Sequence, residues 1–205
     1  MLLPLLLRGG CVNLHTLRRC ASVEDWDKRF GPSYSPLEML KMGVFEGKYI
    51  NNIKEVPASW KQLPTVVGPK DPPDVSLNHY KVKSRQPLSE WKAKGWIDDV
   101  DPEGWFAWYI KYFLGRRLPE IDDRQIKRWK SFVARHQGQI SANCRLDDDN
   151  CRPIQRQGLL QWAWDSSVKW DERTAAKNAN RIAKLAGTKV GVESFVDVPV
   201  GLSKW

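Results

Sequence analysis

The segment DPEGWFAWYIKYFLGRR, residues 101–117, decides the fold of this 205-residue chain. Its positions 105–113 hold two tryptophans, two phenylalanines and two tyrosines. A helix with so much apolar surface on every side must be buried, either within the protein or against a partner. We expect Asp101 to be its N-cap, Pro102 its first residue and Gly115 its end.

Five further helices are predicted from capping and periodicity. Ser35 and Glu38 form a capping box with proline in the first helical position, which predicts a helix over Pro36–Met42 that ends at Gly43. The others are predicted from Pro87 to Gly95, from Pro119 with Asp122 as the cap, from Arg152-Pro153 to Trp164, and from about Asp171 to Ala186 with a small-residue stripe.

Residues 56–87 contain six prolines, a density that forbids a long helix and favours extended chain. Apolar residues such as Trp60 and Val66 predict an ordered strap that lies over the surface, with a disordered linker as the alternative. We therefore expect a mainly α, single compact domain of short helices with a Pro-rich extended strap. Its parts are an N-terminal arm with a short helix (23–55), the strap (56–87), a Trp-rich helical core (88–187) and an extended C-terminal tail (188–205).

The N-terminus has the composition of a mitochondrial presequence. Arg8, Arg18 and Arg19 precede the first acid, Glu24, and account for three units of the net charge of +9. We expect residues 1–22 to be removed and the protein to reside in the mitochondrial matrix; a secretory or plastid signal and an ordinary folded N-terminus are the alternatives. A run of about 20 apolar residues is absent, so no transmembrane segment is expected.

Basic residues cluster in the predicted helix after Pro119, with no acid between 124 and 135. Such a helix can lie along a phosphate backbone, or it can simply present a solvated outer face. Arginines interleaved with tryptophans elsewhere predict a rigid structural stack or, alternatively, a platform for bases or another planar anion. The candidate nucleic-acid-binding residues are Arg116, Arg117, Arg124, Lys127, Arg128, Lys130, Arg135, Arg152 and Arg156.

The chain offers little for catalysis or metal binding. Cys144 and Cys151 lie near Asp147–Asp149 and His136, but the close cysteine pairs typical of zinc sites are absent, so a disulfide or two free thiols is favoured. Glycine-rich phosphate loops and hydrolase motifs are also absent. We therefore name no catalytic residue, no metal ligand and no cofactor.

Four segments, residues 36–49, 86–97, 101–130 and 143–166, resemble a family of small tryptophan-rich proteins of uncharacterised function. Their shared motifs are GWFxWYxxYxxGRR, DxRQIxRWK and CRPxQRQxLLxWAxDS. The resemblance implies one folded domain, and it implies no activity, cofactor or binding residue.

These observations favour a non-catalytic mitochondrial protein, acting as an accessory subunit of a ribonucleoprotein assembly such as the mitochondrial ribosome. RNA and neighbouring proteins are the expected partners. The alternatives are a peripheral accessory subunit of a respiratory complex or ATP synthase, and a small enzyme or ligand-binding protein that uses an Arg–Trp cleft.

Overall fold

The structure is a computed structural model that describes residues 26–84, 86 and 88–187. Over these residues the chain forms one compact arrangement of six α-helices and contains no β-strand, which confirms the predicted mainly α fold. The predicted presequence 1–22 and tail 188–205 lie outside the described residues. The helices are α1 (Pro36–Met42), α2 (Leu88–Ala93), α3 (Trp105–Phe113), α4 (Pro119–Asn143), α5 (Pro153–Gln161) and α6 (Glu172–Gly187).

Helix α3 is buried on all sides and forms the centre of the fold. Eight of its nine residues are at most 4% exposed, so the burial expected of this helix is achieved within the protein, with Trp105 and Trp108 in the core. The ninth, Lys111, places its Nζ 3.1 Å from a carboxylate oxygen of Asp101. The other segments pack around this helix because its apolar surface leaves no side for water.

The predicted start of α3 is wrong. Gly104 is the N-cap, with φ 102°, and its N–H donates to the carbonyl of Asp101 at 2.8 Å. The Asp101 carboxylate is fully buried and accepts two hydrogen bonds from the Arg116 guanidinium, at 2.8 and 2.5 Å. Because its oxygens are occupied by cations, Asp101 cannot cap the helix, and the chain makes a turn before α3 begins.

Helix α4 has 25 residues, so the expectation of short helices fails for this element. Its N-cap is Leu118, and Asp122, the predicted cap, lies within the first turn instead. One Asp122 oxygen accepts from the Leu118 N–H at 2.7 Å, and the other accepts from the Trp108 indole at 2.8 Å. This carboxylate therefore fixes the start of α4 to the middle of α3.

The segment before α1 closes the core with Phe30, which has no exposed surface. Arg117 covers the edge of this region, with its guanidinium carbon 3.9 Å from the centre of the Tyr112 ring. Aromatic rings prefer particular relative orientations, so these contacts favour one packing of the core over others that would fill the same volume. The rings within 6.2 Å of Phe30 are Trp26, Trp105, Trp108, Tyr109, Tyr112 and Trp129.

The described part of the proline-rich segment lies against the helices and contains only short 3-10 turns. Trp60 anchors it in the core at 4% exposure. Its backbone also pairs with the loop after α1, where the His79 N–H donates to the Gly43 carbonyl at 2.9 Å. A Cβ on Gly43 would lie 1.9 Å from the carbonyl oxygen of Leu77, so only glycine permits this close approach.

Helix α6 packs a stripe of small residues on the core, as predicted: Ala175, Ala179, Ile182 and Ala183 are all buried. Asp171 precedes the helix, and its side chain accepts from the Thr174 N–H at 2.7 Å. No helix in the described part of the chain is long and apolar enough to cross a bilayer.

We predict that Trp108→Ala lowers the free energy of unfolding by about 3–5 kcal/mol, because it leaves a cavity and removes the indole donor to Asp122. Urea denaturation measures the change. The control is Trp96→Ala, at a position that is 45% exposed, which should stay within about 1 kcal/mol of the parent. Equal losses in the two variants would show that α3 is not the centre of the core.

Candidate functional site

An open cleft of about 880 Å³ lies between α2 with its following turn, the beginning of α3, and one face of α4 and α5. This volume is in the range of about 300–1,000 Å³ that is usual for small-ligand sites. Exposed apolar side chains stand at its rim, including Leu88 at 42%, Trp96 at 45% and Ile154 at 60%. The cleft therefore combines concavity with apolar surface that water covers poorly.

Aromatic rings form one wall of the cleft. The Trp162 ring lies 4.6 Å from Phe132 at an interplanar angle of 12°, and 4.7 Å from Trp105 at 25°. Trp91 of α2 continues the series, 6.4 Å from Trp162 and inclined by 25° to it. Trp96 then packs edge-on against Trp91 at 5.7 Å. Together these rings form the aromatic wall of the cleft, an apolar surface against which another flat ring can pack.

A second stripe on α4 faces this cleft. Arg128, Phe132, Arg135 and His136 are spaced i, i+4, i+7 and i+8, so they share one side of the helix. The core side carries a different stripe, in which Trp129 is fully buried. Phe132 is apolar like the residues of that core stripe but lines the cleft.

Arg128 is the most unusual cation of the cleft. Its guanidinium donates to the Gln125 amide oxygen at 3.2 Å, and no carboxylate of the described residues lies within 4 Å of it. Burial is the first cause that lowers the pKa of Arg128, and repulsion from Arg124 is the second. The fold thus holds a positive charge in a partly desolvated position, where Asp98 is a nearby acid that favours the charge but lies beyond ion-pair distance.

His136 packs against Phe132, with ring centres 4.1 Å apart and ring planes inclined by 41°. Burial, followed by repulsion from Arg135, lowers the pKa of His136 and keeps the imidazole neutral at pH 7. Its buried Nδ1 has no hydrogen-bond partner in the described part of the chain. Arg135 itself is exposed beside the cleft.

One acid also lines the cleft. Glu103 lies 4.0 Å from the Lys111 ammonium, which also approaches Asp101. The cations in the described lining are Lys48, Lys127, Arg128 and Arg135. The lining thus carries an excess of positive charge and favours an anion.

Two of the predicted binding arginines are occupied within the fold. Arg116 is bonded to the buried Asp101 carboxylate, and Arg117 donates to the Tyr112 carbonyl at 2.5 Å while it covers the Tyr112 ring. For these two arginines, the contacts agree with the predicted rigid structural stack of arginines and aromatic rings rather than with a ligand platform.

Three of the predicted cations on α4 have carboxylate partners. Arg124 pairs with Asp98, Lys127 lies 2.7 Å from Asp123, and Lys130 lies 2.5 Å from Glu172. All three side chains remain exposed, so each ion pair is weak and open to competition from a phosphate. Because a carboxylate partly neutralises each of these three cations, they attract an anion less strongly than Arg128 and Arg135 do.

The last two predicted arginines lie at the start of α5. Arg152 is the N-cap, in a left-handed conformation with φ 57°. Arg156 is fully buried, and its guanidinium donates to the carbonyls of Cys151, Leu146 and Arg145 at 2.9–3.2 Å. Arg156 therefore holds the loop before α5 in place and does not reach a surface where a phosphate could bind.

The same loop is closed by a disulfide between Cys144 and Cys151, which settles the alternatives left by the sequence. Bonded sulfurs cannot ligate a metal as thiolates. Among the described residues, no group of three or more histidines, cysteines or carboxylates could hold a metal ion. Asp147 of this acidic run pairs with Arg145 at 3.0 Å.

Comparison of the chain with known protein families, with curated proteins and with solved structures finds no match. The chemistry of the cleft therefore carries the functional argument.

We predict unequal stability effects for two arginine-to-methionine changes. Arg116→Met should lower the free energy of unfolding by about 3 kcal/mol, because the buried Asp101 carboxylate loses its bidentate partner. Arg128→Met should change stability by less than about 1 kcal/mol, since the loss of the hydrogen bond to Gln125 and of the attraction to Asp98 is offset by the removal of a partly desolvated charge. Urea denaturation of both variants checks this, and a large loss in Arg128→Met would show that Arg128 is a structural residue.

Proposed function

We propose that this chain is a non-catalytic RNA-binding protein of mitochondria, an accessory subunit of a ribonucleoprotein assembly such as the mitochondrial ribosome. The observation that supports this function is the stacked aromatic wall of the cleft, bordered by Arg128 and Arg135. Aromatic rings beside cations bind unpaired nucleotides because the base stacks and the phosphate pairs.

The geometry favours a single strand over a duplex. A duplex hides its base faces, and a concave cleft cannot follow its regular phosphate backbone. An unpaired base can enter the cleft and place its face against Phe132 or Trp96. Each stacked base contributes roughly 1–3 kcal/mol in proteins that bind single strands.

The cleft does not favour an enzyme. His136 lacks the acidic or hydroxyl partner that orients a general base, and the Glu103 carboxylate lies 4.0 Å from the Lys111 ammonium, whose positive charge favours the ionised form. The ligand-binding alternative gains more from the structure, because an 880 Å³ concave site also suits a small planar anion. Free nucleotides are planar and anionic, so they are the small ligands to compare with RNA.

The proposed compartment rests on the arginine-rich, acid-free sequence before Glu24. The Cys144–Cys151 disulfide points in the other direction, because disulfides are rare in reducing compartments such as the matrix. The hydrogen bonds from Arg156 hold the same loop without the disulfide, so the matrix form can keep its fold when the cysteines are reduced.

A peripheral subunit of a respiratory complex or ATP synthase is the second candidate, because exposed apolar residues such as Ile154 also suit a protein partner. Sedimentation of mitochondrial extract separates the two. Migration with ribosomal particles that is lost after RNase treatment supports the RNA assembly, and RNase-resistant migration with a detergent-stable membrane complex supports the alternative.

We predict that the double variant Arg128→Gln/Arg135→Gln weakens binding of single-stranded RNA. It should also flatten the slope of log affinity against log salt by about 1.4, since each neutralised phosphate contributes about 0.7 for a single strand. Fluorescence anisotropy with a labelled RNA oligonucleotide over a range of salt concentrations measures both changes.

The matched control is Arg124→Gln/Lys130→Gln. It removes the same charge from the same helix, at exposed positions that are paired with acids and lie outside the cleft. Its slope should change by less than half as much. Equal slopes for both variants would assign the attraction to the whole basic helix, and salt-independent binding by the parent would refute RNA as the partner.

A further inference from the structure

We infer that the cleft is a site for one nucleotide, in which the Gln161 amide bonds the edge of the base. This inference deepens the proposed RNA-binding function and shares its site. The nucleotide can come from an unpaired position in RNA or from a free mononucleotide, because both present the same base and phosphate.

Gln161 is a buried amide without a protein partner. The residue is 6% exposed, lines the cleft and ends α5 next to Trp162. Its Nε2 is buried and has no hydrogen-bond partner in the described structure. Buried amides are normally paired, so one that lines a cleft without a partner indicates a ligand that completes it.

Three other buried glutamines show the contrast. Gln125 accepts from Arg128, Gln137 donates to the Ser166 carbonyl at 3.2 Å, and Gln157 joins the Tyr80 N–H to the Gly43 carbonyl. Each of these amides therefore has at least one protein partner, although the Gln137 oxygen has none in the described structure. Gln161 differs from them in its position against the cleft.

The chemistry of an amide selects a base over other planar groups. Its oxygen accepts and its NH₂ donates, side by side, and rotation of the amide by half a turn exchanges the two ends. Nucleobases present adjacent donors and acceptors of this kind on their pairing edges, and glutamine can bond such an edge with two hydrogen bonds. A phosphate offers acceptors alone, and an aliphatic chain offers neither.

The neighbouring groups suit the remaining parts of a nucleotide. The Phe132 and Trp162 rings are nearly parallel, at 12°, and Trp162 directly follows Gln161 in the chain. A base that bonds the amide therefore lies near rings on which it can stack. The neutral imidazole of His136 adds one donor and one acceptor, while Arg128 and Arg135 attract the phosphate.

The test compares ligands with and without a base. The probes are uridine 5′-monophosphate against ribose 5-phosphate, and a short oligouridylate against its abasic ribose-phosphate counterpart. The parent protein should bind each base-bearing ligand more tightly than the matched ligand without a base. Gln161→Met should weaken binding of the base-bearing ligands about tenfold and leave the abasic ligands unchanged, because it keeps the shape and removes both hydrogen bonds.

Gln155→Met is the matched control, at a cleft residue whose amide already contacts the Gln139 side chain at 3.4 Å. It should bind all four ligands as the parent does. Thermal unfolding of Gln161→Met should show an unchanged or higher melting temperature, since the removed amide has no protein partner. A lower melting temperature would mean that Gln161 is structural and would overturn the inference.

The outcomes separate this inference from the proposed function. RNA binding that ignores the base and Gln161 would leave the proposed function intact and overturn the nucleotide site. Binding of the monophosphate without binding of RNA would support the nucleotide site and overturn the proposed function. Failure to bind any of the four ligands would overturn both.

Discussion

The burial of α3 on every side is the constraint on which the rest of the structure depends. A nine-residue helix with six aromatic rings cannot face water, so segments before and after it must cover each side. Phe30 closes one side, and the Asp122 carboxylate ties the Trp108 indole to the start of α4. The beginning of α3 also contributes Trp105 to the aromatic wall of the cleft, so the core and the candidate site share one set of rings.

The candidate binding arginines divide into two groups: those that are bonded within the fold, and those that line the cleft. Arg116 and Arg156 hold a buried carboxylate and a loop of carbonyls, and removing either would leave buried polar groups unpaired. Arg128 and Arg135 stand beside the aromatic wall without carboxylate partners in the described structure. Arg128 keeps one hydrogen bond within the fold, to Gln125, and a partly desolvated cation that lines a cleft is a candidate to bind an anionic ligand.

Local sequence predicted much of the fold and little of the site. The capping box at Ser35 gave the limits of α1, and aromatic density gave the burial of Trp108. The role of Asp101 was missed, because its pairing with Arg116 depends on how the chain returns after α3. The cleft was missed for a similar reason: the spacing from Arg128 to His136 is visible in the sequence, but only tertiary packing brings α2 and Gln161 opposite it.

Photochemical cross-linking tests the central claim, that an unpaired base stacks in the cleft, most directly. Single-stranded RNA with 4-thiouridine is irradiated with the full chain, and mass spectrometry locates the modified residues. The account predicts adducts on cleft residues, foremost Trp91, Trp96 and Phe132. Adducts confined to the outer face of α4 around Arg124 and Lys130, or an absence of adducts at saturating RNA, would contradict it.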